Sequence, residues 1–301
     1  VKLSQCSKIL SLTFFLTFFL YSCERELHVD ASQYKDKLVL FSTFTSDSTI
    51  NFHLSKTKSP YFSGTNNLDP DSAEIILIDD KFNELSFEYN SALEIINLKQ
   101  KQISESSLSI VVKYPGLEDI FATCIFPDKV SIIEHADQLI KDKDNNEVLL
   151  HKIRLKTNKS EYLIIRNVIT KRVRSLSGDT ITLRDTAWLN SYSANIFSVL
   201  PSNTINAELY AKLNTDTETT IEFLSNDGFP KGNNFVDGNS VIELMCCDKN
   251  YYNYFTSSAL AIWNSRFSNS TILSPVSVFS NVNNGMGVFG AYQIKKILKK
   301  Y

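Results

Sequence analysis

Glycine is scarce, at 9 residues in 301, against 12% aromatic and 43% hydrophobic residues. So little glycine beside so much Tyr, Phe, Ile, Val and Thr leaves ample material for a core, and those side chains favour strands. Long apolar runs are missing as well. The most hydrophobic stretch, Ile9–Tyr21, holds 13 residues, short of the about 20 that a membrane-spanning helix needs. The four histidines, His28, His53, His135 and His151, fall in no His-Glu-x-x-His or other metal spacing, which argues against a zinc hydrolase. No Gly-x-Ser-x-Gly elbow occurs, so no serine carries a nucleophile signature. Cys-x-x-Cys is missing too, and neither metal ligands nor a cofactor are expected.

What is there begins with a leader. VKLSQCSK carries Lys2 and Lys8 as its only charges and runs into ILSLTFFLTFFLY. A basic start and an apolar region of about 7–15 residues make a cleaved secretory signal. Leu20, Tyr21 and Ser22 lead into Cys23, and the four together resemble a bacterial lipobox. Residues 1–22 are therefore expected to be removed, leaving Cys23 as the lipidated first residue, with diacylglycerol on its sulfur and a third chain on its amine. At about 0.8 kcal/mol per buried methylene, two or more chains anchor stably, so the first expected partner is a membrane. Glu24, Arg25 and Glu26 follow at once and look like the surface-export signal of lipoproteins in the Bacteroidota. The expected location is the outer membrane, at the cell surface.

Removing residues 1–22 takes away two lysines and no acid, leaving 29 basic against 33 acidic side chains. A net negative chain without clustered Lys and Arg argues against nucleic acid as a partner. Cys124, Cys246 and Cys247 then remain. A disulfide from Cys124 to one of the adjacent pair is open in an oxidising compartment, but buried free thiols are the expected state.

Residues 23–36 read as a tether. KLVLFSTFTSDSTINFHLSKTKSP gives strands over Leu38–Thr45 and Thr49–Ser55, with a turn at Ser46-Asp47-Ser48. In SAEIILIDD, Ile75 and Leu77 alternate with Ile76 and Ile78 ahead of a turn at Asp79–Lys81, and apolar residues on both faces predict a strand buried between layers. SLSIVVKYPGLEDIFATCIFP is a further hairpin, turning at Pro115-Gly116. Six strands with turn signals every 8–12 residues predict an immunoglobulin-like sandwich over 37–128. Residues 129–301 are expected to form a larger antiparallel β-sandwich or barrel-like domain. Its strands start at Lys129–Glu134 and continue through KIRLK, EYLIIRNVITKRV and AELYAKLN, with a polar turn at Asp142–Glu147 and a long loop over 226–239. The fold class is all-β with one short helix. That helix runs from about Asp248, its cap, to Trp263, with Tyr251, Phe255, Ala259 and Ile262 at helical spacing.

Few side chains suggest chemistry. Asp142, Asp144 and Asn146 start like a calcium loop, but Glu147 stands where glycine is required and Ile153 where a bidentate Glu belongs. Asp79-Asp80 reads as a solvated turn. The aromatic cluster Tyr251, Tyr252, Tyr254, Phe255 and Trp263 is expected chiefly to pack a core. Tyr252 and Tyr254 lie off the face shared by Tyr251 and Phe255, which makes them the candidate ligand-binding residues. Lys295, Lys296, Lys299 and Lys300 form a basic tail, most simply a solvated terminus. Near the end, the glycines of SNVNNGMGVFGAY supply positive φ or close backbone approach, Asn284-Gly285 favours a tight hairpin, and Val288-Phe289 open a last strand.

Taken together, the Cys23-Glu24 start, KLVLFSTFTSD, LDPDSAEIILIDD, YPGLEDIFATCIFPDKVSI, YYNYFTSSALAIW and the close SPVSVFSNVNNGMGVFGAY resemble the Bacteroidota lipoprotein family catalogued as domain of unknown function 4249. The pieces run in the family's order over nearly the whole mature chain, and the close is the most specific. The resemblance implies an all-β extracytoplasmic protein with an immunoglobulin-like domain ahead of a larger β domain. It also implies a neighbourhood, since such proteins are often encoded beside TonB-dependent outer-membrane receptors. The expectation is a non-enzymatic surface lipoprotein, the ligand-binding partner of a TonB-dependent nutrient transporter. Alternatives are an envelope-structural or adhesion lipoprotein and, less favoured, a β-scaffold hydrolase. The family brings no catalytic residues to transfer.

Overall fold

The computed structural model describes residues 35–45, 49–57, 68–99, 107–142, 145–175, 179–192, 196–198, 208–226, 235–267 and 276–300. The leader, Cys23, His28, residues 24–34 of the tether, the Ser46–Ser48 turn and Asp144 lie outside them. From Asp36 onward the described residues fall in one compact unit. No helix among them is long and apolar enough to cross a membrane.

The first strands are β1 (Leu38–Phe44), β2 (Thr49–Lys56), β3 (Glu74–Ile78), β4 (Phe87–Asn90), β5 (Ile95–Leu98), β6 (Ser107–Lys113) and β7 (Ile120–Ile125). Alternation makes them: β2 buries Ile50, Phe52 and Leu54 and exposes Asn51 and His53, while β6 buries Leu108, Ile110 and Val112. One sheet runs β1-β2-β5-β4 and the other β3-β6-β7. In immunoglobulin lettering these are A-B-E-D against C-F-G, a sandwich as expected but of seven strands rather than six. The strand that the sequence did not signal is β5, four residues joined to β4 through Glu94 at φ 53°. Pro115 and Gly116 turn β6 into β7, with Gly116 at φ 80° and Leu117 N–H donating to the Tyr114 carbonyl. β3 departs from expectation. It is the edge of its sheet, with Leu77 buried and its other apolar side chains only half-buried.

The rest of the chain supplies β8 (Ser131–Lys141), β9 (Glu147–Lys156), β10 (Tyr162–Arg174), β11 (Thr180–Thr186), β12 (Trp188–Ser191), β13 (Ile196–Phe197), β14 (Glu208–Lys212), β15 (Glu218–Asn226), β16 (Phe235–Cys247), helix α1 (Lys249–Phe267) and β17 (Met286–Lys300). The sheet β12-β15-β9-β8 packs against β14, β10 and β16 around Ile153, Leu163, Phe223 and Leu244. The result is a second sandwich; the sheets do not close into a barrel. The second Asp-Gly expected in a loop lies inside β16, where Asp237 pairs with Arg172 beside a register shift.

β17 ties the two sandwiches together. Its first half runs parallel to β1, Val39 opposite Met286 through Phe44 opposite Ala291, and its second half runs antiparallel to β16. Phe289 and Ala291 therefore enter the first core, and Ile297 packs against the second. The Asn-Gly turn ahead of it is no hairpin, because the backbone of the preceding segment bridges to β7, through Phe121 and Asn283, rather than pairing with β17. Asn281 anchors that crossing. Its amide donates to the carbonyls of Thr123 and Phe289 and accepts from Phe289 N–H, standing in for a missing strand neighbour. Gly287 sits at φ +108°, where a Cβ would lie 1.9 Å from the Leu40 carbonyl oxygen.

Candidate functional site

The second sandwich carries a cluster of ionisable side chains at one end of its core, with His151 buried and His135 and Asp137 at its margin. β8 brings them in through a bulge. Ile132 faces the core opposite Leu155, then the register shifts before Glu134, so that His135 and Asp137 share the inward face instead of Glu134 and Ala136. Across the hairpin, Asp137 stands opposite His151 and His135 opposite Ile153. From β15, Ser225 lies on the same side, and from β17 Lys299 reaches across the sandwich.

The contacts converge on Asp137. His135 Nε2 lies 2.9 Å and His151 Nδ1 2.6 Å from its Oδ1, and Lys299 Nζ 2.6 Å from its Oδ2. On the far side of the His151 ring, Nε2 lies 2.6 Å from Ser225 Oγ. The ring stacks on Phe223 at 4.9 Å, and the His135 ring lies parallel to it within 15°. Burial opposes the charge on Asp137, but the hydrogen bonds from His135, His151 and Lys299 outweigh it and hold the carboxyl well below the usual range. Beside this group, Ser240 donates to Asn167 Oδ1 at 2.5 Å, both fully buried.

Ser225, His151 and Asp137 are linked in the order of a nucleophilic triad. Access distinguishes them from one: His151 and Ser225 are both 0% exposed, so no acyl group reaches Ser225 Oγ in this conformation. His135 and Asp137 are different, each keeping 18% of its side chain open to solvent. Two imidazoles and a carboxylate with ligand atoms all within 4.8 Å of one another are a donor set that suits a metal ion. Metal-motif spacing along the chain does not reveal this group, because its members meet across neighbouring strands. The usable signal was the His-x-Asp alternation together with His151, the mirror position of Asp137 about the 142–147 turn.

Lys299 accordingly is no solvated tail residue; its side chain is 19% exposed and ion-paired. Lys296 does remain open and pairs with Glu243. The tyrosines proposed for ligand contact also behave differently from expectation. Tyr252 is 7% exposed, buried with Tyr251 against Ile164, Tyr210 and Met245 on the outer face of the sheet. Tyr254 is half-buried, its ring 5.7 Å from that of Phe41. The helix therefore turns a broad aromatic face inward, and the exposed member of the expected stripe is Ile262. Asp142 closes its turn by accepting from Asn146 N–H, and Asp79 does the same with Lys81 and Asn83. Cys124, Cys246 and Cys247 are buried free thiols, and burial pushes Cys246 up to about 12. A cavity of ≈ 370 Å³ on the outer face is lined by Arg166, Arg184, Asp185, Glu208 and Glu243, and one of ≈ 460 Å³ opens beside Asp248 and Tyr162.

A family model described as "Domain of unknown function (DUF4249)" matches residues 24–297. No curated protein matches the chain. Among solved structures, a yeast delta-COP-I mu-homology domain is 12% identical over 87% of this chain and 93% of its own, with a TM-score of 0.21.

Proposed function

The chain belongs to the DUF4249 family, and from that premise we propose that it is a lipoprotein of the outer membrane of a Bacteroidota cell, tethered through acylated Cys23 and serving as the non-enzymatic, ligand-binding partner of a TonB-dependent nutrient transporter. One observation carries the reading: the family match starts at residue 24, directly behind the cysteine that ends the apolar leader. A leader removed at that cysteine leaves the family domain whole and its first residue in the membrane surface. Glu24, Arg25 and Glu26 favour the outward face. The closure of Ser225 and His151 within the core supports a binding protein over a hydrolase, because the best-aligned nucleophile has no path to substrate. Loops at the sandwich ends are the natural contact surfaces, as in other sandwiches that carry binding sites.

The test starts with the anchor. Mass spectrometry of the N-terminal peptide from cell envelopes is expected to show Cys23 as the first residue carrying three acyl chains. Cys23→Ser should move the protein from the membrane to the soluble fraction. Tagged wild type extracted in mild detergent should then bring down a plugged β-barrel receptor. An unacylated Cys23, or repeated isolation with no such receptor, counts against the proposal.

A further inference from the structure

His135, Asp137 and His151 do more than a packing role demands. A buried His151 could be satisfied by Ser225 and one backbone acceptor; instead two imidazoles from adjacent strands aim at a single carboxylate oxygen. The bulge in β8 is what aims them, since without it Glu134 and Ala136 would take the inward face. The geometry points to a mononuclear site for a divalent transition-metal ion of the zinc class, with His135 Nε2, His151 Nδ1 and an Asp137 oxygen as protein ligands and water completing the shell.

The observations fit that use in three ways. Zinc-class ions take bonds of about 2.0–2.2 Å to imidazole nitrogen and carboxylate oxygen, so tetrahedral ligands stand roughly 3.4 Å apart. Ligand atoms already within 4.8 Å of one another reach that spacing by small rotamer adjustments. The site is also half open. His135 and Asp137 each keep 18% of their side chains exposed, which provides an entry path and a place for the water, while His151 forms a closed floor. Finally, Ser225 Oγ at 2.6 Å from His151 Nε2 supplies the orienting contact that metal-bound histidines use. A hydroxyl suits both states. With the site empty it donates to Nε2 while Nδ1–H donates to Asp137; with an ion on Nδ1 it accepts from Nε2–H.

Lys299 is the competitor. Its ammonium neutralises Asp137 at 2.6 Å, so a divalent ion must displace it toward solvent, which a side chain near the end of β17 can reach. This makes a signed test possible. The full chain, carrying an affinity tag without histidine and stripped with chelator, is titrated with Co²⁺ for its visible spectrum and with Zn²⁺ for thermal stability. Wild type should give one Co²⁺ per chain with d–d bands of a four- or five-coordinate ion. Zn²⁺ at a hundredfold excess over its Kd should raise Tm by roughly 5 °C or more. His135→Ala, at a partly exposed position that tolerates truncation, should abolish both. Lys299→Met should lower the Tm of the metal-free protein, because Asp137 loses its ammonium, and yet bind Co²⁺ at least about tenfold more tightly. Absence of d–d bands in both wild type and Lys299→Met would overturn the site. So would bands that survive His135→Ala with near-ultraviolet thiolate transitions, since the ion would then be on cysteine. These outcomes do not depend on whether a transporter partner exists.

Discussion

Asp248 caps α1 through Oδ1, accepting from Tyr251 N–H at 2.7 Å, while Oδ2 accepts from Ile125 N–H of the first sandwich at 3.2 Å. One carboxyl thus starts the helix and pins it to β7. Burial raises its pKa to about 6, outweighing the backbone donors that favour the charged form. A raised carboxyl holds a proton in the folded state that the unfolded state has released. Its contribution to stability is therefore full below about pH 4 and is lost as pH rises through about 6. That span corresponds to about 3 kcal/mol. Asp248→Asn keeps an accepting oxygen for Tyr251 and loses the Ile125 bond. It should be less stable than wild type at pH 4 by about 1 kcal/mol, with the gap closing or reversing by pH 7. Urea midpoints across that range measure it; parallel pH profiles for the two proteins would mean that Asp248 titrates normally.

At the scale of elements, α1 lies on the sheet because β17 carries no side chain beneath it at one point. A Cβ on Gly290 would fall 2.6 Å from Tyr251 Cβ. Around that contact Tyr251 and Tyr292 rings approach to 5.4 Å, and Arg166 lies 5.0 Å from the centre of the Phe255 ring. Gly290→Ala must lift the helix or shift the strand, an overpacking cost of about 1–3 kcal/mol. Hydrogen exchange should show the α1 amides opening faster than in wild type, with β2 and β6 little changed. Equal protection in α1 would show that the helix accommodates a methyl group without moving. The glycines of the C-terminal motif were legible as points of positive φ or close approach; which element approached was not.

For the whole molecule, β17 is the common member. It lies between β1 of one sandwich and β16 of the other, so neither core is complete without it. Residues 37–128 and 129–301 are regions of sequence whose boundary this strand crosses. Calorimetry of the protein should therefore give one transition with equal calorimetric and van 't Hoff enthalpies. Two resolved transitions would mean that the sandwiches unfold separately despite the shared strand. Across the molecule, the strands that were legible are those with clear alternation, such as β2, β6 and β9, or a strong turn, such as Pro115-Gly116. The four-residue β5 fell below that signal, and β3 misled because an edge strand can be apolar on both faces while only Leu77 is fully buried.

The sequence alone determined what depends on neighbours in the chain. Strand periodicity, the Asp248 cap, the glycine-rich entry to β17 and the all-β class all follow from local sterics and from alternate burial. Only the tertiary structure decided what depends on contacts between distant strands. The meeting of His135, Asp137, His151, Ser225 and Lys299 needs a bulge, a hairpin register and a strand from the far end of the chain. Of these, the hairpin register alone leaves a trace in spacing, through the mirror positions of Asp137 and His151 about the turn. The burial of Tyr252 has the same origin, because a helix lying on a broad sheet buries a wider face than a single stripe of helical period indicates.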